Sequence, residues 1–247
     1  MLSRSKHELC DRDAEMIKMD VTRTGSRRQI SDLQSTADQE QMTRILTAFC
    51  TLFPDIGYAQ GMSYIVAGLL SALDYNEMHS FHTLYVLMTV YDMNTMFRQD
   101  VLGLRIKLAT LEEFISTLLP ELQIHLEQLD IHTSMFGLGW FNSLFMYDQR
   151  VDVKHVAHFL DVFLYAGWKF VFQLIFYMFD ENLSTLEKTT NGAYVMHLLN
   201  NLPSQSKAFT SSGFKKSKSY QISNKDIDNV IKIVQGQDPT LIDSYDI

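Results

Sequence analysis

Apolar side chains recur with helical spacing along nearly all of this 247-residue chain. Met42, Ile45, Leu46, Phe49, Cys50 and Phe53 fall at i, i+3, i+4, i+7, i+8 and i+11, the period of one helix face. Pro54 ends that run, and after the turn Pro54-Asp55-Ile56-Gly57 the pattern restarts at Met62, Ile65, Val66, Leu69, Leu70 and Leu73. Phe81, Leu84, Tyr85 and Met88 form a third stripe; Leu104, Leu108, Leu111, Ile115 and Leu118 form a fourth, closed by Pro120. Leu122, Leu126 and Leu129 continue into a short helix. Thr133 or Ser134 is placed to cap a helix carrying Trp140, and Asp152 to cap one carrying Val153, Val156, Ala157 and Leu160. No run alternates apolar and polar residues as a half-buried strand would. The pattern predicts an all-α chain, a single multi-helix domain with no sheet.

Composition narrows the function classes. A hydrophobic content of 46% with 12% aromatic residues is incompatible with a disordered chain. A formal net charge of −8 argues against nucleic acid, whose phosphates need neutralising cations. Two cysteines, Cys10 and Cys50, imply no disulfide framework. The polar opening Ser3-Arg4-Ser5-Lys6-His7-Glu8 lacks the apolar core of a secretory signal, so the chain reads as cytoplasmic. The longest apolar stretch, Val162 to Phe179, is interrupted by Lys169 and Gln173. A membrane span needs about 20 predominantly apolar residues, so this stretch reads as a buried core helix.

Two segments read as loose. Gly25 to Gln41 is polar and lacks a stripe; Ser204 to Asn224 has the Ser/Lys-rich composition of a flexible linker. The organisation expected is therefore a helical domain over 1–203, a linker over 204–224, and a C-terminal helix and tail over 225–247. Ile227, Val230, Ile231 and Val234 carry that helix. No internal repeat is evident.

Two polar motifs interrupt the stripes: Ile17-Lys18-Met19-Asp20-Val21-Thr22-Arg23-Thr24, and Tyr58-Ala59-Gln60-Gly61-Met62. Read as two loops, they offer an arginine and a glutamine. Those are the two groups that GTP hydrolysis lacks: a cation for the transition-state charge and an amide to orient the attacking water. The chain has no G-x-x-x-x-G-K-[ST] phosphate loop, so the nucleotide would belong to another protein. Arginine suits the first task because guanidinium is planar, permanently charged and able to bridge two oxygens. Glutamine suits the second because its amide both donates and accepts. Gly61 permits close backbone approach or an unusual φ. Asp20 is placed to hold the arginine's direction, Ile17 to anchor it in the core, and Tyr58 to pack beneath the glutamine with its hydroxyl bonded.

These residues resemble the TBC-domain family of Rab GTPase-activating proteins, which reads I-x-x-D-x-x-R-T and Y-x-Q-G-M in this order. A third family signature resembles Trp140-Phe141-Asn142-Ser143-Leu144-Phe145 followed by His158-Phe159-Leu160-Asp161-Val162-Phe163-Leu164-Tyr165-Ala166-Gly167. There the family carries arginine where this chain has His158, which makes a shorter, pH-sensitive pair with Asp161 the expectation. The resemblance implies a dual-finger site: Arg23 and Gln60 catalytic in trans, with Ile17, Asp20, Thr24, Tyr58, Gly61 and Asp161 in support. It implies a Rab-type GTPase in the GTP state as partner. GTP and Mg²⁺ would be carried by that partner, with no cofactor in this chain, and membrane contact would be indirect, through the GTPase at endomembranes. The family's N-terminal helices, with their G-[IV]-P, are expected to be missing. Arg27 and Arg28 are rival finger residues. A second reading is a catalytically silent module that binds or recruits the GTPase, and a third is a helical scaffold. His155 and His158 with Asp152 and Asp161 have metal-like spacing without a third histidine or a cysteine cluster.

Overall fold

A computed structural model describes residues 11–27, 36–148 and 150–236. Among them there is no strand: thirteen α-helices and one 3₁₀ turn account for the regular structure. The all-α expectation holds. The chain divides into two compact units, one drawn from Met1–Val101 and Asn142–Ala157, the other from Leu102–Phe141 and His158–Ile247.

The first unit contains α1 (Asp11–Arg27), α2 (Thr36–Leu52), α3 (Met62–Ala72), α4 (Glu77–Thr89) and the single turn α5 (Asn94–Phe97). The α2 stripe is buried as the spacing predicts, from Met42 through Cys50, with Phe53 half-buried. Pro54 stops the helix, and Gly57, at φ +66°, turns the chain back. α3 then buries Met62, Ile65, Val66, Leu69 and Leu70. α1 packs on both α2 and α3. Asn76 caps α4, its side chain accepting from the His79 N–H at 2.9 Å. Burial of Cys50 pushes its thiol up to about 12.

The second unit contains α6 (Leu102–Leu118), α7 (Pro120–Gln128), α8 (Thr133–Asn142), α9 (Val153–Ala166), α10 (Trp168–Lys188), α11 (Gly192–Gln205), the 3₁₀ turn Lys207–Phe209, α12 (Ser211–Ser217) and α13 (Asn224–Gly236). The unit boundary falls within α8, before Asn142, and within α9, before His158. Pro120 opens α7 at its first helical turn, where no N–H is missed. Thr133 is the buried first residue of α8. Asp152 caps α9 as expected, accepting from the Lys154 N–H at 2.8 Å. An aromatic lattice fills this core: Trp140, fully buried, lies against Phe136 and Phe179, and Phe159 against Phe163, Phe170 and Phe209. Val162 to Phe179 is not one helix, because Gly167 separates α9 from α10 at φ 66°. Gln173, one of its polar interruptions, is buried and donates to the main-chain oxygens of Tyr220 and Ile222 at 2.9 and 3.1 Å. No helix among the described residues is long and apolar enough to cross a membrane.

The linker expected over 204–224 is corrected. α11 runs on to Gln205, and the 3₁₀ turn and α12 bury Ala208, Phe209, Phe214 and Ser217. The hydroxyls that give the segment its linker composition are helix caps. Ser206 Oγ accepts from the Ala208 N–H at 2.9 Å, and Thr210 Oγ1 from the Gly213 N–H at 3.0 Å. Phe214 packs on Phe170, Phe209 and His158. The C-terminal helix forms as α13 on α6, burying Ile227 and Val234, and the expected tail over 237–247 lies outside the described residues. Truncating Phe214 to alanine therefore destabilises the chain by about 3–5 kcal/mol. Urea unfolding of wild type and Phe214→Ala checks this; an unchanged midpoint would mean a linker after all.

Candidate functional site

Arg23 lies on a helix, not on a loop as the motif spelling suggested. Ile17, Asp20, Val21 and Thr24 sit at i, i+3, i+4 and i+7 of α1, so the first motif is one inward stripe. Ile17, Val21 and Thr24 are buried at 1%, 2% and 1% exposure. Arg23 stands at the edge of this stripe with its side chain 40% exposed. One terminal guanidinium nitrogen donates to Asp20 Oδ1 at 2.6 Å, while its buried Nε–H has no partner among the described residues. In water such an (i, i+3) pair adds about 0.2–1 kcal/mol to stability. Its main effect is directional: it fixes where the guanidinium starts from.

Asp20 is only 13% exposed, and its second oxygen accepts from Tyr58 Oη at 2.8 Å. Tyr58, buried at 6% exposure, is two residues before Gln60. Burial raises the phenol's pKa above its ordinary value; a hydrogen bond with Ser63 opposes the rise, and the neighbouring Asp20 charge adds to it. Thr24 Oγ1 also bonds Ser63 Oγ, at 3.0 Å, inside the core. A polar chain thus runs Thr24, Ser63, Tyr58, Asp20, Arg23, joining α1 to the glutamine loop and the first turn of α3.

Gln60 occupies the turn before α3, exposed and without a hydrogen bond among the described residues. Gly61 follows at φ 109°, a conformation glycine adopts without strain. A Cβ there would lie 3.2 Å from Asn142 Cγ, Nδ2 and main-chain O, so the α-carbon is also closely covered. Just beyond Asn142, Leu144 and Phe145 stand at φ 48° and 63°, both buried. Left-handed backbone at such residues costs about 1–3 kcal/mol each, and here burial of the two side chains holds it.

The first unit therefore brings together Ile17, Asp20, Arg23, Thr24, Tyr58, Gln60 and Gly61. Asp161 belongs to the second unit and is exposed on α9. The expected His158–Asp161 pair is absent among the described residues. His158 instead lies against Phe214, with ring centroids 5.0 Å apart. Arg28 lies outside the described residues, and the side chain of Arg27 is likewise not described. No three His, Cys, Asp or Glu side chains gather as a metal site among the described residues.

Two residues at the site escaped the sequence reading. Ser63 carried a signal: Val66, Ala67 and Leu70 share its helix face, so a serine there had to be buried with a partner. Asn142 stands inside the tryptophan-led signature without a role of its own, because only the fold sets it beside Gly61.

The family model for the Rab-GTPase-TBC domain (RabGAP-TBC) matches residues 2–186, and the chain belongs to this family. Among curated relatives it is 29% identical to human Small G protein signaling modulator 3 over 192 residues, 78% of this chain and 25% of that protein. It is 31% identical to the GTPase-activating protein GYP5 of Eremothecium gossypii over 147 residues, 60% of this chain and 17% of that one. The chain thus spans a quarter or less of these relatives' lengths. The crystal structure of the Chlamydomonas flagellar RabGAP TBC domain superposes with a TM-score of 0.62 at 21% identity, covering 84% of this chain and 72% of that one; it shares the fold.

The raised phenol pKa carries a sign. The unfolded chain releases the Tyr58 proton above about pH 10, whereas the folded chain holds it. Below pH 10 this contributes no pH dependence; above it, folding stability falls. Wild type accordingly loses more stability than Tyr58→Phe between neutral pH and pH 11, measured by urea unfolding at each pH. Parallel curves would mean that Tyr58 is not held protonated by its surroundings.

Proposed function

We propose that this chain is a GTPase-activating protein that accelerates GTP hydrolysis by a Rab-type small GTPase. The supporting observation is the Tyr58–Asp20–Arg23 bridge, which ties the arginine helix to the glutamine turn and gives both groups one rigid base. Rigidity matters because catalysis here is positioning and electrostatics with little covalent work for the protein. Arg23, exposed at its tip, supplies the cation that offsets charge building on the γ-phosphate oxygens. Gln60, whose amide bonds no described residue, orients the water whose oxygen attacks the γ-phosphorus as the bond to the β–γ bridging oxygen breaks. GDP and phosphate leave with the partner, which brings GTP and Mg²⁺. Contact with endomembranes from the cytoplasm follows through the GTPase.

Ile17 and Thr24 hold α1 in the core, Asp20 and Tyr58 aim the guanidinium, and Gly61 lets the backbone turn at the glutamine.

The test is single-turnover hydrolysis across a panel of GTP-loaded Rabs. Arg23→Ala lowers the stimulated rate by about 10³–10⁵. Gln60→Ala lowers it by about 10²–10³, the scale for removing one transition-state hydrogen-bonding group. Tight binding without stimulation by wild type would instead identify a silent recruiting module.

A further inference from the structure

Gln60 is not the only carboxamide at this surface that bonds no described residue. Asn142 ends α8 and belongs to the same compact unit as Arg23 and Gln60. Its side chain fills the space beside the Gly61 α-carbon, within contact distance of where a Cβ would stand. It is half-buried and makes no hydrogen bond to any described residue. Its position is nonetheless fixed: Trp140 and Phe141 are fully buried just before it, and the left-handed pair Leu144–Phe145 is buried just after.

A leucine would fill this volume equally well and leave nothing unpaired. An asparagine brings N–H donors and an acceptor to a site where no described residue uses them. The planar donor–acceptor pair of a carboxamide is complementary to a peptide unit, which offers one N–H and one C=O. We propose that Asn142 is a third contact residue for the bound GTPase, hydrogen-bonding a main-chain peptide unit of the GTPase beside Gln60. This rests on the GTPase-activating reading above and adds to it a group outside the two finger motifs. Because the contact goes to protein backbone and not to the reacting phosphate, it is made equally before and during hydrolysis. It therefore sets the concentration at which the GTPase is engaged, not the rate once engaged.

The experiment uses the full chain and the Rab of the panel that it engages most tightly. Affinity is measured with the GTPase bound to a non-hydrolysable GTP analogue, and turnover with GTP. Asn142→Leu keeps the branched outline without polar atoms, Asn142→Asp keeps the shape but removes the donors, and Asn142→Ala covers the case in which the bulkier leucine disturbs the turn. All three are expected to raise Kd and the half-saturating concentration about tenfold, the scale of one lost hydrogen bond. The plateau rate and the unfolding midpoint stay near wild type. Unchanged Kd in Asn142→Leu and Asn142→Ala would overturn the proposal and leave Asn142 as packing for Gly61. A lowered plateau with unchanged Kd would also overturn it, placing Asn142 behind Gln60 as a support. Binding by wild type without stimulation would sink the catalytic reading while the Kd comparison still decides Asn142. No binding of wild type to any GTP-loaded member of the panel would sink both.

Discussion

The hydrogen bond from Tyr58 to Asp20 is the interaction on which the site depends. It is short, largely withdrawn from water and made to a carboxylate that also holds Arg23. A charge-assisted bond of this kind is worth about 1.5–3 kcal/mol, more than the exposed ion pair it supports. Without it, Asp20 would keep one oxygen bonded to Arg23 and lose the partner of the other, and α1 would lose its hydrogen bond to the glutamine loop. Packing fixes how far apart two helices lie better than it fixes which way a side chain points. The polar chain supplies the direction.

That division of labour appears elsewhere in the chain. Apolar stripes bring elements together, and a small number of buried polar groups choose among the arrangements that packing allows. Thr24 and Ser63 do this between α1 and α3; Gln173 does it for the connection between α12 and α13. Each is satisfied, so each restricts the fold without the cost of an orphaned polar group.

Much of this was legible in the residue pattern. The stripe of α2 was readable because that helix buries one face, that of α3 because its apolar residues dominate a helix buried on nearly every side, and the turn between them because Pro54 and Gly57 leave few alternatives. The two motifs that carry Arg23 and Gln60 are legible by their letters, but the first lies on a helix where its spelling suggests a loop. Its polar letters hid the i, i+4, i+7 spacing of Ile17, Val21 and Thr24. The segment after Ser204 was misread for a related reason. Serine and threonine are common in linkers and at helix N-caps alike, and only the positions of Phe209 and Phe214 distinguish the two. Asn142 is part of the tryptophan-led signature, but its place beside Gly61 is not legible there, since the two are distant in sequence. The His158–Asp161 pair follows from the family's arginine at that position, yet the ring partner of His158, Phe214, comes from a different helix.

The family match ends at residue 186, whereas the core of the second unit does not. Phe209 and Phe214 cover Phe159 and Phe170, and α13 covers α6. A chain cut at the end of the match would leave those aromatic faces open to water, a surface of the kind that drives self-association. Among the described residues this core runs to Val234, the last buried residue of α13, so a C-terminal boundary before α13 ends would cut into it.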